Sequence, residues 1–139
     1  MLRNKARTYL FSNSIAPSLV GATIEAYKML NESSELVKQL QKNTALFRSS
    51  MKKAGFKIIG HNECPIAPVW LGDARIATEL SNRLMDENIF VIGFSFPVVP
   101  KGEARIRVQL SASHSEEQVQ QCIDAFVRAG KSMNVIWFN

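Results

Sequence analysis

Apolar residues change their spacing once along this chain, near residue 55, and the change divides a helical first part from a mixed second part. In the first part Pro17 sits where the opening turn of a helix tolerates a missing N–H, which predicts a helix from about Ala16 to Leu30. Its apolar positions, among them Leu19, Val20, Ile24, Tyr27 and Leu30, wrap much of the circumference, so burial against more than one surface is expected. After the cap-forming run Asn31 to Ser34, a second helix is predicted to about Ala54, with Leu36, Val37, Leu40, Leu46, Phe47 and Met51 inward and Gly55 as its stop.

From Phe56 onward short apolar runs predict strands at Phe56–Ile59, Ile66–Leu71, Ile89–Phe94 and Ala104–Leu110. Asp73 can cap a helix to about Glu87, with Ile76, Leu80 and Leu84 inward and Ala77 and Met85 beside them. Ser115 and Gln118 read as a capping box, followed by Val119, Cys122, Ile123, Phe126 and Val127 at helical spacing and by Gly130 as the expected stop. Between the last two strands, Pro97 and Pro100 make a rigid connection. The order is therefore β-β-α-β-β-α, an α+β layer over residues 55–139, fed by an arm and connecting helices over residues 1–54.

Composition adds boundaries. With 46% hydrophobic residues, 21% charged and a net charge of +5, the 139 residues match an ordinary folded domain and exclude a disordered or collagen-like chain. No run reaches the length of a transmembrane helix, so no membrane partner is expected, and the basic start MLRNKARTYLF lacks the apolar core of a targeting segment. Cys64 and Cys122 stand alone, which supports neither a disulfide framework nor a zinc site; two reduced, partly buried thiols are expected, and no metal ligands.

Candidate chemistry is sparse. His61 and His114 have no carboxylate or cysteine at a triad or ligand spacing; His61 reads as a loop residue, and His114, just before the capping Ser115, as a local hydrogen-bonding group. Acidic residues are scattered on helix faces, which gives no general acid–base pair and no catalytic residue. The strand ARIRVQL places Ala104, Ile106, Val108 and Leu110 on one face and Arg105, Arg107 and Gln109 on the other. That polar face is either a solvated surface or an anion site, since a guanidinium fork on a packed strand can grip a carboxylate or phosphate. The segment FSNSIAPS is either ordinary helix capping, by Ser14 or a neighbour, or a phosphate seat at a helix start.

Those segments carry a resemblance. RTYLFSNSIAPSLVGA, LGDARIA and IFVIGFSFPVVPKGEARIRVQLSASHS resemble the C-terminal part of the glycine C-acetyltransferase branch of the α-oxoamine synthases, a family of pyridoxal 5'-phosphate (PLP) enzymes. The resemblance covers almost the whole chain and implies the small C-terminal domain of an aspartate-aminotransferase-type (fold type I) enzyme, with an antiparallel sheet and helices on one of its faces. It implies that Ser12 and Asn13 reach the PLP phosphate of the partner subunit in a homodimer, and that Arg107 binds the substrate carboxylate. Arg105 would then be structural, as would Ser113 and His114 in the SASH run. The implied reaction joins glycine and acetyl-CoA into 2-amino-3-oxobutyrate and CoA, runs in reverse in threonine degradation, and brings in a complex with threonine dehydrogenase. No lysine of this chain lies in the family's Schiff-base motif, so the chain is expected to be a fragment that is inactive alone and does not hold PLP covalently. The implied compartment is the mitochondrial matrix in a eukaryote and the cytoplasm in a bacterium. The alternative is a ferredoxin-like module that binds nucleic acid or a regulatory ligand; the strands carry no RNP-like aromatic pair and the bases form no stripe, so no nucleic-acid partner is expected.

Overall fold

The computed structural model describes residues 1–7 and 15–136, and by its contacts the chain separates into two units, Met1–Ser34 and Glu35–Asn139. Among its described residues the first unit holds a helical turn, α1 (Leu2–Lys5), and the helix α2 (Pro17–Glu32). Its N-cap is Ala16, which makes no side-chain capping bond, with Pro17 in the first turn; the expected capping Ser14 lies outside the described residues. The apolar circumference of α2 is real, yet α2 buries none of its residues, and Leu19, Ile24, Tyr27 and Leu30 are all exposed.

The second unit contains α3 (Glu35–Lys53), β1 (Lys57–Ile58), β2 (Ile66–Gly72), α4 (Ala74–Asp86), β3 (Ile92–Phe94), β4 (Ala104–Gln109) and α5 (Glu116–Ser132). The strands form one antiparallel sheet in the order β1-β2-β4-β3, and the predicted α+β class with helices on one face is what the structure has. The covered face carries Ala67, Val69 and Leu71 of β2 and Ala104, Ile106 and Val108 of β4, all buried. Against it pack Phe47 and Met51 of α3, Leu80 and Leu84 of α4, and Val119, Ile123 and Phe126 of α5. By contacts α3 groups with the sheet, because it contributes fully buried side chains to the sheet's core. Its first turns do not: Leu36 and Val37, predicted inward, are exposed. Met85 of α4 is exposed as well.

All three helices of this unit end in the same backbone device. At Gly55, Asn88 and Asn134 the chain adopts positive φ (94°, 61° and 53°), and the next N–H turns back to the carbonyl five residues earlier: Phe56 to Met51, Ile89 to Leu84, Val135 to Gly130. This Schellman closure satisfies carbonyls that the helix leaves open. It also explains why β1 and β3 are shorter than predicted. Phe56 and Ile89 are spent on closing helices, so pairing starts only at Lys57 and Ile92.

The N-termini follow the sequence closely. Asp73 accepts from the N–H groups of Arg75 and Ile76, which hold its carboxyl below the usual range, and Ser115 with Gln118 forms the reciprocal box. Gly130, however, is not the stop of α5; the helix runs on to Ser132, and Asn134 is the turning residue. Gly130 is there for space. A Cβ at this position would lie 2.6 Å from Cζ of Phe56, whose ring is buried and stacked edge-on against Phe126. Gly130→Ala is therefore expected to destabilise the fold by about 1–3 kcal/mol even though alanine is the better helix former; urea denaturation of the variant checks this, and a stabilised variant would contradict it.

Candidate functional site

The second face of the sheet is uncovered by any helix of its unit. Period-two alternation and the observed register put Arg105 opposite Trp70 and Phe94, and Arg107 opposite Pro68 and Ile92. Two guanidiniums thus rise from a floor of aromatic and apolar side chains. Arg107 is exposed, and its Cζ lies 4.9 Å from the ring centre of Phe94, the neighbour diagonal to it across β3 and β4. A flat cation laid on an aromatic face is held in orientation without losing its hydrogen-bonding edge. Lys57 similarly stands 4.2 Å over Trp70, and the Trp70 indole donates to Glu103 at 3.2 Å.

Among the described residues neither Arg105 nor Arg107 has a carboxylate at ion-pair distance. The cations with carboxylate partners in the second unit lie elsewhere, as in Lys42–Glu116 and Arg83–Glu79. Arg105 is half-buried and its Nε, fully covered, has no hydrogen-bond acceptor among the described residues. A guanidinium placed for structural reasons normally has one, as Arg48 illustrates: it is buried at 3% exposure and spends its donors on the carbonyls of Ile59, Cys64 and Ile66. Arg48 pins the loop between β1 and β2, a role its position in a helix pattern did not disclose.

The SASH run builds a local network. His114 Nδ1 accepts from the Ser111 N–H at 3.2 Å, so its other nitrogen carries the proton in the neutral ring. The buried Asn43 of α3 donates to the carbonyls of Ser111 and His114, both at 2.9 Å, and Ser111 and Ser113 share a hydrogen bond. These bonds fix the turn from β4 into α5. The His61 ring accepts from the Glu63 N–H in a surface turn. Cys64 and Cys122 are free thiols, and burial pushes Cys122 up to about 12, which keeps it protonated and unreactive near neutrality. Ser12 and Asn13 lie outside the described residues. No described helix is long and apolar enough to cross a membrane.

The profile of the aminotransferase class I and II family matches residues 1–126. The chain belongs to that family. Among curated proteins it is 53% identical over 131 residues to "2-amino-3-ketobutyrate coenzyme A ligase, mitochondrial" of Bos taurus, covering 94% of this chain and 31% of that protein. It is 47% identical over 135 residues to the 2-amino-3-ketobutyrate coenzyme A ligase of Escherichia coli K12, covering 97% and 34%. The chain therefore spans about a third of the length of the curated relatives it matches. Among solved structures, a serine palmitoyltransferase from S. paucimobilis with PLP bound superimposes with a TM-score of 0.89 at 26% identity, covering 97% of this chain and 34% of that one. The fold is accordingly that of the small portion of fold type I PLP enzymes, as the resemblance implied.

Proposed function

We propose that this chain is the C-terminal small-domain part of a PLP-dependent acyltransferase that condenses glycine with acetyl-CoA to 2-amino-3-oxobutyrate and CoA, running in reverse in threonine degradation. The 53% identity to a 2-amino-3-ketobutyrate coenzyme A ligase along nearly the whole chain carries the reading. The geometry is consistent with it at one end of the substrate: an exposed, carboxylate-free guanidinium on an aromatic floor fits the carboxylate of an amino acid whose amino end is held elsewhere. The described donors fit that substrate end, and Ser12 and Asn13 would hold the cofactor phosphate in the partner subunit of a homodimer.

In such an enzyme PLP supplies an electron sink for the negative charge that develops on the glycine α-carbon. The part of this chain is positional. The Arg107 fork grips the glycine carboxylate, and a carboxylate held at two points fixes the rotation about the bond to the α-carbon, so that one C–H bond is aimed consistently. Phe94 beneath the guanidinium keeps the fork from swinging into solvent. The Schiff-base lysine, and with it the activity, would belong to residues outside this chain, and residues 55–139 would close the site from one side.

The test is release of free CoA thiol from acetyl-CoA by the native polypeptide that carries these residues, loaded with PLP. Release that depends on glycine is expected. Release without glycine, or equally fast with L-serine or L-alanine, would overturn the assignment of substrate.

A further inference from the structure

We infer that Arg105 is a second contact for the same substrate carboxylate; the inference rests on the reading of Arg107 given above. On the open face the Nε of Arg105 is covered and has no acceptor among the described residues. Leaving a charged donor in that state is unfavourable, and no described residue relieves it. The residues across from Arg105 are Trp70 and Phe94, and neither can supply an acceptor: the Trp70 indole is itself a donor, already engaged with Glu103. Arg107, two residues on and on the same face, leans diagonally over Phe94, which is the residue opposite Arg105. Its guanidinium is thereby drawn toward the Arg105 end of the strand rather than away from it. Two guanidiniums on one strand face, Arg107 leaning toward the residue opposite Arg105 and neither within ion-pair distance of a carboxylate of the described residues, offer a place for an anion.

A carboxylate has two oxygens and about four acceptor positions, so it can take the Arg107 fork and still accept a hydrogen bond from Arg105. Arg107 would set the plane of the carboxylate and Arg105 its position along the strand. Glycine, which has no side chain to locate it, depends on its carboxylate for both.

The experiment compares Arg105→Met, Arg105→Lys and Arg107→Lys in the PLP-loaded native polypeptide, titrating glycine and, as a ligand without a carboxylate, methylamine, and following the cofactor absorbance. Arg105→Met is expected to bind glycine about five- to tenfold more weakly, the loss of one hydrogen bond of ordinary net strength. Its methylamine affinity stays at the wild-type value, and its ligand-free melting temperature is unchanged or raised, because a buried donor without an acceptor has been removed. Arg105→Lys keeps the charge without Nε and falls between. Normal glycine affinity in Arg105→Met, or equal losses for glycine and methylamine, would overturn the inference. Where Arg107→Lys weakens glycine and the Arg105 variants do not, only this inference fails. Where Arg107→Lys also leaves glycine untouched, the reading of the site itself fails.

Discussion

Phe126→Ala is expected to lower the unfolding free energy by about 3–5 kcal/mol, a large part of what a domain of this size has to lose. Phe126 is fully buried, and it joins all the layers of the second unit. Its ring lies 6.1 Å from that of Phe47 on α3 and 5.9 Å from that of Phe56 at the start of the sheet, both edge-on at 78° and 88°. Deleting it removes two aromatic contacts and opens a void that the two neighbouring rings cannot fill, since Phe56 is already braced against Gly130. Urea denaturation followed by circular dichroism measures the loss. The control is Phe90→Ala, whose side chain is 74% exposed and whose removal should change stability by no more than about 0.5 kcal/mol. A loss at Phe126 below about 1 kcal/mol would mean that the three rings do not form the centre of the core.

That centre was legible in the sequence because helical spacing alone puts Phe47 and Phe126 inward, and the polar signals around them agree. Asp73 and the Ser115–Gln118 box mark helix starts through bonds that reach only two or three residues, and such short-range chemistry is written directly in the chain. Helix ends were less legible for the same reason reversed. Asn88 and Asn134 turn the chain where glycine is the usual signal, and Gly130, which looks like a stop, is small because a phenyl ring from seventy-odd residues upstream needs the space. No local pattern holds that information. The site divides along the same line. The shared face of Arg105 and Arg107 follows from period two within one strand, whereas the lean of Arg107 over Phe94 and the missing acceptor of Arg105 depend on the register between β3 and β4. The role proposed for Arg107 came from resemblance; spacing alone favoured a solvated face over an anion site.

Arg107→Lys is expected to weaken glycine binding by about ten- to more than hundredfold in the PLP-loaded native polypeptide, the equivalent of about 1.5–3 kcal/mol for charge-assisted hydrogen bonds to a carboxylate. Lysine keeps the positive charge, so the loss isolates geometry. An ammonium is a point donor on a flexible stem, while the guanidinium offers two parallel N–H groups that match the two carboxylate oxygens and a flat surface that rests on Phe94 at 4.9 Å. Both features go at once, and the carboxylate is then free to rotate. Binding should therefore fall together with turnover at saturating glycine, because a rotating carboxylate no longer fixes the direction of the α-carbon's C–H bond. The core should not notice. Arg107 is exposed and forms no ion pair within the described chain, so the melting temperature without ligand should stay within about 1–2 °C of wild type. A glycine titration of the cofactor absorbance alongside thermal melts gives both quantities. A large drop in melting temperature would assign Arg107 to the fold, and normal glycine affinity would place the substrate carboxylate on another residue. The loss at Arg107 should also exceed that at Arg105, since two parallel bonds outweigh one.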